Sequence, residues 1–136
     1  MLQSPRLRAC FHYLPLAQSE LFRENQIHDI NERNRITNEV CEKFIGADRS
    51  DCFNGIGFFM SNVPFPEEIS LNINDRCNIS KTLDDRTSCT YGVVASYIYR
   101  LEYGKIIYYC NNISQKERRN YCYRELFDSI KYEDPN

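Results

Sequence analysis

The sequence predicts an all-α fold: antiparallel αα-hairpin repeats stacked as a short right-handed solenoid or bundle, each repeat stapled by its own disulfide. Three observations carry this expectation. Cysteines recur in pairs at a steady period, apolar residues follow them at helical spacing, and capping residues stand where the helices should begin. The cysteines lie at 10, 41, 52, 77, 89, 110 and 122. Cys41 and Cys52 enclose ten residues; Cys77 and Cys89, like Cys110 and Cys122, enclose eleven. First members lie 36 and 33 residues apart, second members 37 and 33, a period typical of helix-pair repeats. An apolar residue follows each first cysteine within three positions: Phe44, Ile79 and Ile113. An arginine stands three before each second cysteine (Arg49, Arg86, Arg119), and an aromatic follows closely (Phe53, Tyr91, Tyr123).

In chain order, Ser4-Pro5 opens a first helix through about Leu14, because proline at the first helical position loses no hydrogen bond. Cys10-Phe11, with Arg6 and Arg8 just before, has the look of the second half of a repeat whose first half is missing. Residues 20–45 read as a long polar helix with Ile27, Ile30, Ile36, Val40, Cys41 and Phe44 inward, stopped at Gly46. Asp48 to Asp51 start the helix that carries Cys52. Between Pro66 and Cys77 two signals compete: Pro66-Glu67-Glu68 is a helix start, whereas residues 69–73 alternate like a strand. The period asks for a helix there. Thr82-Leu83-Asp84-Asp85 caps the next helix, whose stripe is Cys89, Val93, Val94, Tyr97, Ile98 and Leu101, with Gly104 as its stop. Ser114 and Glu117 form a capping box before a helix over 116–131 with Cys122, Tyr123, Leu126, Phe127 and Ile130 on one side. The expected organisation is a single domain of six or seven short helices: a partial repeat over 1–40, then repeats over about 41–62, 66–103 and 105–131.

This spacing suits a disulfide within each hairpin. The first cysteine lies about one turn before the end of one helix and the second one to two turns into the next. Their Cα atoms then approach the roughly 5.5 Å that a disulfide needs. The expected bridges are Cys41–Cys52, Cys77–Cys89 and Cys110–Cys122, one of fifteen pairings open to six cysteines, with Cys10 left as a free thiol. Each short loop so closed contributes about 3 kcal/mol in the chain-entropy view. That contribution matters in a chain with only four alanines, whose intrinsic helix propensity is weak.

In period, helix-pair unit and bridge, the chain resembles the cysteine-bearing αα-repeat proteins, of which disulfide-bearing Sel1-like proteins are the best known. The resemblance covers residues 41–131 well and 6–40 poorly, and lacks the shorter cysteine spacing and glycine–alanine helix positions of the Sel1-like group. The arginine-x-x-cysteine-aromatic feature is closer to uncharacterised exported prokaryotic repeat proteins. Such families imply binding or scaffolding and supply no catalytic residue.

Composition narrows function by exclusion. The 136 residues are 42% hydrophobic and 26% charged, as expected of a globular domain. Seventeen basic against nineteen acidic residues leave a net charge of −2, which argues against nucleic acid or an anionic membrane as partner. No apolar run reaches transmembrane length. Seven cysteines suit an oxidising compartment, yet Met1 to Arg6 do not open a signal peptide. The expectation is an extracytoplasmic chain (secreted, periplasmic or surface-exposed) that has lost its signal peptide, as a mature or excised part of a longer protein.

Chemistry-bearing constellations are few. His12 and His28 do not sit in a zinc-binding spacing, no metal or other cofactor is expected, and Cys10 and His12, two apart on a helix, point in different directions. Gly55-Ile56-Gly57 lacks the rest of a dinucleotide fingerprint and reads as a close helix–helix approach. Glu67/Glu68 and Asp84/Asp85 complement helix starts. The sequons Asn78-Ile79-Ser80 and Asn112-Ile113-Ser114 read as loop and cap residues of the repeat. Arg118, Arg119 and Arg124, with Tyr121 and Tyr123 between, read as a solvated face. Ten tyrosines and eight phenylalanines are the surplus. Most should fill gaps between helices, with Tyr97, Tyr108 and Tyr123 as candidates for partner contact. The functional expectation is a non-enzymatic interaction or scaffold module that binds a protein or peptide, with a dimer through Cys10. The alternatives are a carrier of a small apolar ligand or lipid, and a reduced intracellular helical-repeat scaffold.

Overall fold

The computed structural model describes residues 5–27, 29–62 and 76–133. His28, Glu67/Glu68 and the segment where helix and strand signals compete lie outside the described residues. Among those described, all regular structure is helical: α1 (Pro5–Glu24), α2 (Ile30–Glu42), α3 (Gly46–Asn62), a short 3-10 turn (Arg76–Ile79), α4 (Leu83–Tyr99), α5 (Tyr103–Asn111) and α6 (Lys116–Glu133). Three disulfides join Cys41 to Cys52, Cys77 to Cys89 and Cys110 to Cys122, with Cα–Cα separations of 5.5, 5.5 and 5.6 Å. Each ties a helix to the element just before it: α2 to α3, the 3-10 turn to α4, α5 to α6. α1 and the three helices that follow the bridges lie side by side, α1 on α3, α3 on α4 and α4 on α6. All six bridged cysteines belong to the core, together with Phe53, Ile56, Val93, Val94, Tyr97, Ile106, Tyr109, Ile113 and Leu126.

Glycine sets the central spacing. A Cβ on Gly57 would fall 1.9 Å from the Cys89 carbonyl oxygen, and one on Gly92 would fall 2.0 Å from that of Asn54. The backbones of α3 and α4 therefore touch. The α1–α3 contact repeats the device, with Gly55 placing its absent Cβ 2.0 Å from the His12 carbonyl oxygen. The Gly55-Ile56-Gly57 stretch thus acts as the close approach expected of it.

Several boundaries differ from expectation. The first helix does not end at Leu14 but runs through Pro15 to Glu24. Proline inside a helix removes one hydrogen bond and costs about 3 kcal/mol. Pro15 is buried against Gly55 at the α1–α3 crossing, and Phe22 is buried further along, which offsets that cost. The helix stops where Gln26 turns left-handed at φ 58°, with Ile27 N–H bonded to the Phe22 carbonyl at 2.9 Å. The long helix expected over 20–45 is therefore the end of α1, a turn, and α2, whose start is capped by the Asp29 carboxylate accepting from Asn31 N–H. The inward stripe of α2 is also different. Arg33, Asn34, Thr37 and Asn38 are buried beside Cys41, while Ile36 and Val40 are half-buried. Local bonds permit it: Arg33 Nε donates to the Ile27 carbonyl, Thr37 Oγ1 to that of Arg33, Asn38 Nδ2 to that of Asn34, and Ser80 Oγ to Asn38 Oδ1.

Gly46 does not stop α2; it is the first residue of α3, at φ +59°. Gly104 does not stop α4 either. That helix ends at Tyr99, where Leu101 turns left-handed at φ 58° and Glu102 N–H reaches the Tyr97 carbonyl at 2.9 Å. Gly104 instead lies in the first turn of α5 with open space around its Cα. Glycine is the usual left-handed residue at a helix end, but here an exposed leucine bears the strain.

Gly92→Ala is expected to destabilise the protein by about 3 kcal/mol or prevent folding, since backbone must move to admit the methyl group. Gly104→Ala should stabilise it by about 0.5 kcal/mol through the unfolded chain. Leu101→Gly should also stabilise, by about 1 kcal/mol, by relieving the left-handed strain at a residue that buries little. Denaturant unfolding of the three variants checks all three signs.

Candidate functional site

The recurring arginine has a definite task. Arg49 Nη1 donates to the Glu42 carbonyl at 2.8 Å, Arg86 Nε to the Ser80 carbonyl at 2.6 Å, and Arg119 Nη1 to the Ile113 carbonyl at 3.2 Å. In each hairpin the arginine on the second helix thus closes the end of the preceding element, one turn from the disulfide. Carbonyls left without intrahelical partners at a helix end are satisfied this way.

Arg49 does more. Its Nε and Nη2 hold Asp85 Oδ1 and Oδ2 at 2.8 and 2.6 Å, a bidentate bridge from the start of α3 to the start of α4. The Asp85 N–H in turn donates to Thr82 Oγ1, which caps α4. Burial would raise the Asp85 carboxyl, but the bonds from Arg49 and Thr82 outweigh it and hold the group below its ordinary value. Beside this pair opens a cleft of about 490 Å³ lined by Ser50, Thr82, Asp84 and Ser88. Hydroxyl and charged side chains ring it, with apolar stem atoms between them.

A second surface is aromatic. His12 and Tyr13 of α1, Phe58 and Phe59 of α3 and Tyr99 of α4 form a connected series of rings. His12 lies 5.4 and 5.1 Å from Phe58 and Phe59, Tyr13 lies 5.1 Å from Phe59, and Phe58 lies 6.5 Å from Tyr99. Tyr13 is 53% and Tyr99 79% exposed, while the rings between them are half-buried. Burial lowers the His12 pKa against the opposing pull of Asp51 and Asn54, so its ring is neutral near pH 7. The series exists because glycine brings the three helices together; none of its residues but His12 stands out in the sequence.

The residues singled out from sequence scatter. Tyr97 is 6% exposed in the core, with the Arg100 guanidinium 5.1 Å from its ring centre, and is not placed to meet a partner. Tyr108 is exposed on α5. Tyr123 is half-buried on α6, its hydroxyl bonded to Asn111 Oδ1. Cys10 is an exposed free thiol on α1. The arginine group of α6 is not a solvated face. Arg118 is wholly buried, with Nη1 3.4 Å from Thr90 Oγ1 and its pKa brought down to about 10 by burial; Arg119 closes the hairpin; Arg124 lies 5.4 Å from the Tyr121 ring centre. In the sequons, Asn78 and Asn112 are exposed, Ser80 is buried and bonded to Asn38, and Ser114 is exposed. Among the described residues no group of three histidine, cysteine or acidic side chains is set to hold a metal ion, and no helix is long and apolar enough to cross a membrane.

No known protein family, curated protein or solved structure matches the chain. The site is therefore defined by its own geometry: stapled hairpin corners, a polar cleft between two helix starts, and a row of rings across three helices.

The Arg49–Asp85 bridge makes a pH prediction. A carboxyl whose pKa is lowered on folding stabilises the fold above its unfolded value, near 3.8, and that contribution disappears as pH falls through the lower folded value. The wild type should lose stability as pH drops below about 4. Asp85→Asn should be about 1–3 kcal/mol less stable at pH 7 and show a flatter acid limb. Parallel urea titrations from pH 7 to pH 2 test this.

Proposed function

We propose that the chain is a non-enzymatic interaction module, built of stapled helical hairpins and working outside the reducing cytoplasm, that binds a protein or peptide. The observation that carries the reading is the row of rings from Tyr13 to Tyr99, an exposed aromatic surface that spans three helices. Aromatic side chains offer large contact area at little entropic cost and are enriched at the centres of interfaces. The frame beneath is fixed by bridges and backbone contacts, so little is lost in ordering the surface on binding. The bridge and arginine cap common to all three units, with the glycine contact shared by α1–α3 and α3–α4, support reading the units as repeats. The bridges favour an oxidising compartment over a reduced intracellular scaffold. Exposed Cys10 gives the module a point of covalent attachment, either to a second copy or to a partner chain.

Two measurements test it. Thiols trapped with an alkylating agent in the native cells should number no more than one per chain; seven would replace this reading with the reduced scaffold. A photo-crosslinking residue at position 99 or 13 should capture a discrete protein partner that the same residue at position 131 does not. Equal capture from all three positions would remove the ring surface as the binding site.

A further inference from the structure

The first helix offers a more specific site, which rests on the hairpin reading. Cys52, Cys89 and Cys122 are each 0–1% exposed, covered by the element that precedes them and bonded to its cysteine. Helix packing, independently of sequence spacing, places Cys10 in the same register. Gly92, three past Cys89, meets the carbonyl of Asn54, two past Cys52. Gly55, three past Cys52, meets the carbonyl of His12, two past Cys10, at the same 2.0 Å from its absent Cβ. So α1 stands to α3 as α3 stands to α4, and Cys10 stands on α1 where Cys52 stands on α3. Three helices of this one structure show what occupies that position: a short element with a cysteine in a disulfide. On α1 the position is exposed.

The covering elements also form a continuous layer. The 3-10 turn and the residues after it meet α2 through Ser80–Asn38 at 2.8 Å and Lys81–Glu42 at 3.2 Å. The turn meets the segment before α6 through Gln115–Asn78 at 2.9 Å. A further element laid beside α2, over Cys10, would extend this layer in the direction it already runs.

We propose that the Cys10 face of α1 is a docking site for a cysteine-bearing helix of another protein chain, of the α2 and α5 type, joined to Cys10 by a disulfide. Tyr13, three residues on, shares the face and adds exposed apolar area. One component differs from the internal hairpins. The position three before Cys10 is Leu7, not arginine, so the incoming helix end is not closed from that position and the disulfide carries more of the attachment. The bond forms by exchange. The Cys10 thiolate attacks the partner's cysteine sulfur in a mixed disulfide, the new S–S bond replaces the old one, the former partner thiol departs as thiolate, and the Cys10 proton passes to solvent. In an oxidising compartment a disulfide-carrying oxidoreductase supplies such a mixed disulfide.

The test uses the full oxidised chain and a synthetic peptide of residues 102–115, its cysteine activated as the mixed disulfide with thionitrobenzoate. Release of coloured thiolate reports coupling. The native peptide should couple at least tenfold faster than a permuted peptide with the same cysteine, with a rate that saturates in peptide. Cys10→Ser should abolish coupling, and the coupled complex should gain amide protection around Cys10. Equal, unsaturated rates for both peptides would show an ordinary exposed thiol and overturn the proposal while the three internal bridges stand. Faster Cys10–Cys10 dimerisation than peptide coupling would make a second copy the occupant and overturn the helix assignment. Loss of the internal bridges in native protein would instead strike the hairpin reading itself.

Discussion

Everything in this structure follows from backbone meeting backbone between α3 and α4. Side chains ordinarily hold helix axes 8–10 Å apart. Here Gly57 and Gly92 leave no room for even a methyl group, so the two helices approach as closely as their main chains permit. That proximity brings the start of α4 within reach of Arg49, whose guanidinium takes both oxygens of Asp85. It also lines up Phe58 with Tyr99 at the other end, and, through Gly55, brings His12 and Tyr13 into the same row. One packing device thus sets an ion pair at one end of the helix pair and a surface of rings along the other.

The hairpin corners solve a different problem. The chain has few strong helix formers, and the covering elements are short: α5 has nine residues and the 3-10 turn four. Isolated segments of that length do not hold a helical conformation in water. A buried disulfide and an arginine on a carbonyl at or just past its end fix each covering element where it would otherwise fray. Bridge and cap act on neighbouring atoms of the same corner, so their effects should not simply add. Arg49 links this corner to the helix contact, since the guanidinium that closes α2 is the one that holds Asp85.

What could be read from sequence was what depends on local spacing. Cysteine pairs and apolar stripes at 3, 4 spacing marked helices and their hairpin partners, and Thr82 was legible as a cap. Less legible was whatever depends on a neighbour not yet placed. The polar face of α2 looks solvent-facing until the Ile27 carbonyl and Ser80 are set against it. Arg118 looks like part of a basic patch until α4 is beside it. Leu101 ends the helix that Gly104 was expected to end, and Gln26 breaks the stretch expected to run unbroken over 20–45; both have ordinary side chains, because the left-handed turn is demanded by the Schellman bonds and not by the residue. The ring surface was illegible for the same reason: it has no sequence pattern of its own and appears only once glycine has joined three helices.

The glycine register also separates the two kinds of neighbour that α1 could accept. A stacking helix before α1 would lay its carbonyl on the residue three past Cys10, as α1 lays the His12 carbonyl on Gly55. That residue is Tyr13, whose side chain forbids the approach. The corresponding residue of α6 is Glu125, and α6 accordingly meets α4 through side chains, with Arg118 reaching Thr90 in place of backbone contact. Among the described residues, backbone stacking is therefore confined to α1, α3 and α4. What the exposed Cys10 face can still take is the other component of the pattern: a short covering element that arrives beside α2 and needs a sulfur atom, not a glycine, on the helix it covers.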